Sequence, residues 1–241
     1  SCQMMDLVVE LARARDFSIE KSHRLQSKGS LFSSRKIDEY CASKLSRLLV
    51  GDILNKFAVW DPEKLFQQLF EEPDRRRRRV LLSVLEANGE RIYPMLLHQL
   101  EHCTSETPWY YIRNLIFLLG RIVSPKPAER ARAVALVGQH FHTRTVRQVN
   151  SQSIATLSFI GGEAAGECLR AKLAEFKRLD DPVSCDIADK IAMALISLDD
   201  PLSMEVSLDH ALKHWSDEYV ERFAQTLLSP PTINFLIGRV R

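Results

Sequence analysis

One short helical rhythm, returning along the length of the chain, constrains its fold more than any other feature. Arg79, Leu82 and Leu85 stand at relative positions 0, +3 and +6. Arg113, Ile116 and Leu119 repeat the spacing, as do Ser151, Ile154 and Leu157, then Asp189, Ala192 and Leu195, then Glu221, Ala224 and Leu227. The starting positions lie 34, 38, 38 and 32 residues apart. Within each copy, steps of three keep the aliphatic residues on one side of a helix. Return of such a stripe every 32 to 38 residues is what stacked helix pairs produce, because each pair buries its apolar face only against its neighbours. No stretch alternates apolar and polar residues long enough to specify a strand. The expected fold is all-α, an α-solenoid of stacked antiparallel helix pairs.

The punctuation agrees with this reading. Pro108–Ile122 is the clearest copy and reads as a single buried helix. Thr107-Pro108 provides a cap and a first-turn proline. Ile112, Leu115, Ile116 and Leu119 share a face that Trp109 and Ile122 extend, with Trp109 packed into the core. Similar starts occur at Asp61-Pro62, Pro73-Asp74, Ser124-Pro125, Asp181-Pro182 and Asp200-Pro201, and stops at Asn88-Gly89 and Gly161-Gly162. Residues 2–15 read as an amphipathic helix, residues 26–36 as a loose connection, and residues 37–59 as a longer helix. None of these fits the rhythm. Two regions are therefore expected: residues 1–58, an N-terminal helical cap or degenerate repeats, and residues 59–241, the repeat array.

These residues carry a family resemblance. Ile112-Arg113 followed by Leu119-Gly120-Arg121-Ile122 resembles the second helix of a HEAT repeat, where a Val-Arg pair precedes small and aliphatic residues. Ile154 to Ala165, through Gly161-Gly162-Glu163, is similar to the end of bacterial HEAT repeats of the phycobilisome-lyase-like type. Pro94 matches a proline that HEAT first helices often carry. The resemblance covers about residues 60–228 and implies a right-handed superhelix, with successive second helices lining the concave face. Ser151, Asp189 and Glu221 depart from it, standing where the family often has arginine. HEAT-like DNA glycosylases use paired tryptophans and an aspartate. Here Trp109 is followed by Tyr110-Tyr111 and Asn114, so no catalytic role carries over. A bilin lyase-like enzyme subunit ranks last, since no nucleophile arrangement supports it.

Composition bears on the partner through its distribution. The net charge is only +2, which by itself implies neither a nucleic-acid nor a membrane partner. Residues 75–178, however, carry 17 basic and 8 acidic side chains, whereas residues 180–221 carry 2 and 11. Five scattered cysteines without a Cys-x-x-Cys pair fit a reduced, cytoplasmic protein. No apolar run is long enough to span a bilayer. The chain opens at Ser1 and ends in an apolar stretch, Ile233 to Val240. A fragment of a larger multidomain protein is therefore expected, with other domains of the parent chain among its partners. Phosphate-binding and nucleophile-elbow motifs are missing. His98 and His102, beside Cys103, and His210 and His214 each place two imidazoles one turn apart. Neither pair has further ligands at usual spacing, so exposed helix histidines are expected, with no metal and no cofactor. The expected protein is not an enzyme.

Candidate binding residues fall into three groups. Arg75 to Arg79 offer forked contacts to phosphate or carboxylate, and Arg75 and Arg76 remain candidates. Successive residues nevertheless spread around a helix, which favours a solvated face paired with Glu71, Glu72 and Asp74, plus one structural arginine, Arg79. Arg79, Arg113 and Arg147 would line an ordered basic groove if second helices face one way; alternatively such arginines tie one repeat to the next. Tyr110 and Asn114, four residues apart, form an aromatic–amide pair suited to an extended peptide. Tyr110, Arg113 and Asn114 then make the outward edge of their helix. The expected function is a scaffold holding a protein or peptide, acidic segments included, on its concave face. Nucleic-acid binding through the basic central region is the alternative.

Overall fold

The structure of the protein is a computed structural model that describes residues 62–198 and 201–213. All regular structure among them is helical: α1 (Pro62–Glu71), α2 (Arg75–Ala87), a 3-10 turn (Gly89–Ile92), α3 (Tyr93–Glu101), α4 (Trp109–Leu119), α5 (Pro127–His140), α6 (Arg147–Ile160), α7 (Gly162–Phe176), α8 (Pro182–Ile196) and α9 (Pro201–Lys213). The chain divides into two compact units, Ser1–Met95 and Leu96–Arg241. The expected helices over 2–15 and 37–59, the connection at 26–36, the boundary near residue 58, and the rhythm's copy at Glu221 lie outside the described residues.

In the first unit α1 packs on α2. Leu65, Phe66 and Leu69 form the buried stripe of α1, and Leu82, Val84 and Leu85 that of α2. Asp74 caps α2: its Oδ1 accepts the backbone N–H groups of Arg76 at 2.8 Å and Arg77 at 2.9 Å. The Arg77 backbone bond is the main cause holding this carboxyl below its ordinary value. Pro73-Asp74 thus opens a helix, as its sequence predicts.

The second unit has two series of neighbours. α6 packs against both α4 and α8, and α7 packs against both α5 and α9, with chain-adjacent helices closing the gaps between the series. Two contacts show that α4, α6 and α8 run parallel. Arg147, at the start of α6, pairs with Asp186, near the start of α8, at 2.9 Å. Thr156, towards the end of α6, donates its hydroxyl to the Ile116 carbonyl of α4 at 2.9 Å. The rhythm supplies the core: Ile116, Leu119, Ile154, Leu157, Ala192 and Leu195 are all buried. Each such leucine or isoleucine contributes about 1.5–3 kcal/mol of burial free energy.

Two joints set how closely α4, α6 and α7 sit. A Cβ on Gly120 would meet Thr156 Oγ1 at 2.7 Å and the Thr156 Cα at 3.3 Å, so α4 ends hard against α6. Gly161 and Gly162 have φ of 65° and 78°, a region that side chains with a Cβ rarely occupy. They turn the end of α6 straight into α7.

Three local expectations are corrected. Helix α4 starts at Trp109 with Pro108 as its cap residue and no side-chain cap; the Thr107 hydroxyl instead accepts the Thr104 N–H of the preceding turn at 2.9 Å. Trp109 is 45% exposed rather than in the core. The inward place at that turn belongs to Tyr111, which is buried and donates its hydroxyl to Gln99 Oε1 at 3.0 Å. Ser124-Pro125 does not begin α5, which starts at Pro127. The buried Ser124 hydroxyl donates to Glu129 Oε2 at 2.6 Å and accepts the Lys126 N–H at 3.2 Å, so it shapes the approach to the helix.

Candidate functional site

Residues of α4, α6 and α8 line a cleft of about 380 Å³. Arg113 comes from α4, Arg147, Gln148, Ser151 and Gln152 from α6, and Lys190 from α8. Its placement follows from the rhythm. Arg113 and Ser151 occupy the first position of their copies, Gln152 and Lys190 the next, and Arg147 sits one turn earlier. The buried stripes hold the helices; the residues just before each stripe face the cleft.

The lining contains three cations and no acid. Asp186 stands beside two of them: its Oδ2 lies 2.9 Å from Arg147 Nη2 and 2.7 Å from Lys190 Nζ. Burial of Asp186 disfavours its charge, but the hydrogen bond and charge of Lys190, then those of Arg147, outweigh it and hold the carboxyl below its ordinary value. One carboxylate therefore serves two cations. Asp186 thereby joins α6 to α8 beside the cleft.

The structure brings Arg113 and Arg147 into one cleft. Arg147 also ties α6 to α8 through Asp186, so the binding and the tying roles meet in one residue. Tyr110 is half-buried and packs edge-on to Trp109, with ring centroids 6.2 Å apart. Asn114, expected on an outward edge, is only 3% exposed. Asn114 belongs with Tyr111, Leu115 and Leu118 to the buried residues of α4. Asn114 Oδ1 accepts a long hydrogen bond of 3.5 Å from Arg113 Nη1, and its Nδ2 has no partner among the described residues. Arg75 and Arg76 are exposed on α2 in the first unit.

The structural arginine of α2 is Arg78, not Arg79. Arg78 Nη1 donates to the carbonyls of Glu72 at 2.9 Å and Pro73 at 2.7 Å, while Arg79 is exposed. Of the acids expected to pair with the run, Glu72 lies 3.9 Å from Arg77. Asp74 is engaged by backbone N–H groups, and Glu71 accepts from Gln67 at 3.0 Å. Sequence reasoning missed Gln148, Gln152 and Lys190. Lys190 was detectable as the residue following a first position of the rhythm.

The histidine pairs differ from each other. His98 and His102 are exposed, with ring centroids 4.2 Å apart and planes tilted by 33°, and His102 Nδ1 lies 2.8 Å from the His98 carbonyl. His210 is buried rather than exposed, because Asp189 Oδ1 receives its Nε2 at 2.8 Å; His214 lies outside the described residues. Among the described residues no group of three or more His, Cys, Asp or Glu is arranged to hold a metal ion, and no helix is long and apolar enough to cross a membrane. Burial pushes the Cys103 thiol up to about 11 against the lowering effect of a Thr107 hydrogen bond, leaving it protonated and poorly nucleophilic at neutral pH.

No protein-family model matches the chain, and no curated protein matches it.

Proposed function

We propose that this chain is a non-catalytic, cytoplasmic scaffold, a HEAT-like α-solenoid that holds a protein or peptide partner on the face made by α4, α6 and α8. The observation that carries this reading is the cleft: three parallel helices of one series supply Arg113, Arg147 and Lys190, and Asp186 pairs with the last two. Its three cationic lining residues suit an acidic segment of chain. The alternating neighbours of the second unit support the solenoid, as does burial of the rhythm in every copy among the described residues.

Site-directed photocrosslinking tests the reading. A photoreactive residue at Gln148 or Gln152, inside the cleft, should capture the same partner in cell extract. One at Gln139 or Ala171, exposed on α5 and α7, should not. Equal capture from both series removes the reading. Capture that consists of nucleic acid, weakening steeply with salt, favours the basic-region alternative.

A further inference from the structure

Past the cleft, the three helices that line it change character. Helix α6 shows the change on one unbroken stripe. Gln148, Gln152, Ala155 and Phe159 follow one another at steps of four, three and four residues, so they share one side of the helix. The two glutamines line the cleft. Ala155 is exposed, and Phe159, about two turns beyond Gln152, is 53% exposed. Both neighbours change in the same way. Phe117 stands one turn after Arg113 on α4, Met193 stands three residues after Lys190 on α8, and both are half-buried.

Residues three or four apart on a helix are neighbours, about 5–6 Å from Cβ to Cβ. Because α4, α6 and α8 run parallel, that step points the same way on all three. Phe117, Ala155 and Met193 therefore adjoin the cleft on its C-terminal side, each through its own helix. Phe159 extends that side by one further turn of α6. Along the helix axes the face passes from cations and amides to apolar side chains. A ligand that covers both halves must change in the same direction. The glutamines select its class. A carboxamide both donates and accepts, as a peptide bond does, whereas a phosphodiester only accepts. Asp186, one turn before Lys190, also weakens attraction for a polyanion.

Resting on the reading of the cleft as a partner site, we propose that the bound segment is a two-part peptide lying along the helix axes. It is acidic over Arg113, Arg147 and Lys190 and apolar where it runs on past them, with a leucine or aromatic side chain seated on Phe159. From Gln152 to Phe159 is about 10.5 Å along α6, which an extended chain covers in about three residues. The acidic and apolar parts of the ligand therefore follow each other directly in its sequence. The carboxylates set which way the segment lies, and the apolar part adds affinity by removing an exposed aromatic ring from water.

The test uses the full chain and labelled synthetic peptides followed by fluorescence anisotropy. The two-part peptide is a run of glutamates followed by Leu-Phe-Leu, and its control ends in Ser-Ser-Ser instead. The two-part peptide is expected to bind about 10-fold more tightly than the control, the scale of one well-placed apolar contact. In Phe159→Ser that advantage should vanish while binding of the control stays as it was. Phe159→Leu, which keeps an apolar side chain, should retain most of it. Equal binding of the two peptides, an advantage that survives Phe159→Ser, or a loss in Phe159→Leu as complete as in Phe159→Ser overturns the inference. If Arg113→Glu/Arg147→Glu/Lys190→Glu abolishes binding of both peptides and Phe159→Ser alters neither, the cleft reading stands and this inference fails. If that triple variant binds both as the parent does, both readings fail. A single-stranded thymidine oligonucleotide that binds more tightly than the two-part peptide, and weakens in Phe159→Ser, overturns the inference in favour of nucleic acid. Crosslinking to the unsubstituted chain covers the case in which Phe159→Ser does not fold. A benzophenone in place of the peptide's phenylalanine should attach at Phe117, Ala155, Phe159 or Met193. Attachment at Arg147 or towards the N-terminal ends of the three helices overturns the inference.

Discussion

Two arginine-rich regions of this molecule do opposite things with the same side chain. On α2, five arginines stand in a row, Arg75 to Arg79. They radiate around the helix, and the one best anchored, Arg78, spends its guanidinium on two carbonyls of its own approach segment. In the cleft, Arg113, Arg147 and Lys190 are separated by 34 and 43 residues and meet on one surface. Charge that is dense along a chain is dispersed by a helix. Charge that is sparse along a chain is concentrated when equivalent helices stack.

That contrast can be broken most directly by charge reversal. Arg113→Glu/Arg147→Glu/Lys190→Glu should weaken binding of an acidic peptide on the order of 100-fold, each reversal exchanging a modest attraction for a repulsion. Arg75→Glu/Arg76→Glu should change it less than about 3-fold, as expected of screened charges that do not line the cleft. Titration of both variants at one ionic strength reads the difference, and comparable losses would erase the distinction between the regions.

A second measurement sharpens the dependence of the cleft on helix spacing. Gly120→Ala pushes a methyl group into Thr156, whose Oγ1 would be 2.7 Å away. Thermal unfolding should show a loss of about 2–3 kcal/mol from overpacking, with weaker peptide binding as α4 and α6 separate. Thr156→Ala in the same chain should restore part of both, since the contact with the Thr156 Cα at 3.3 Å remains.

The smallest effect lies inside the α2 run. Arg78→Ala should cost about 1 kcal/mol of stability through its two lost carbonyl bonds, whereas Arg79→Ala should be nearly silent. Denaturant unfolding distinguishes them, and equal costs would mean that position in the run decides nothing.

Legible in the sequence was whatever depends on local period. Ile154 and Leu157 had to face inward together once α6 formed, and the rhythm gave their partners on α4 and α8. Grouping of Arg113 with Arg147 came from the expectation that successive second helices line one face. The errors arose where a tertiary neighbour sets the phase of a helix end. Trp109 lost the inward place to Tyr111 because Gln99 supplies a partner for the tyrosine hydroxyl. Asn114 falls among the buried residues of α4, a phase that packing sets and the period alone does not. His210 is buried because a carboxylate from α8 reaches it. Lys190 escaped notice although it follows Asp189, a first position of the rhythm, just as Gln152 follows Ser151.

The glycine joint between α6 and α7 bears on how this protein tolerates changes in chain length. Only Gly161 separates Ile160, the last residue of α6, from the first turn of α7. One residue inserted within α7 after Gly166 would rotate the remainder of that helix by about 100° relative to its first turn. Leu169, Leu173 and Phe176, now buried, would swing towards solvent. The connection between Glu101 and Trp109 has exposed residues at Thr104, Ser105 and Glu106 and would absorb the same insertion as slack. Lengthening of this chain should therefore be confined to the turns that lead into α4, α6 and α8, and barred from the corner that leaves α6.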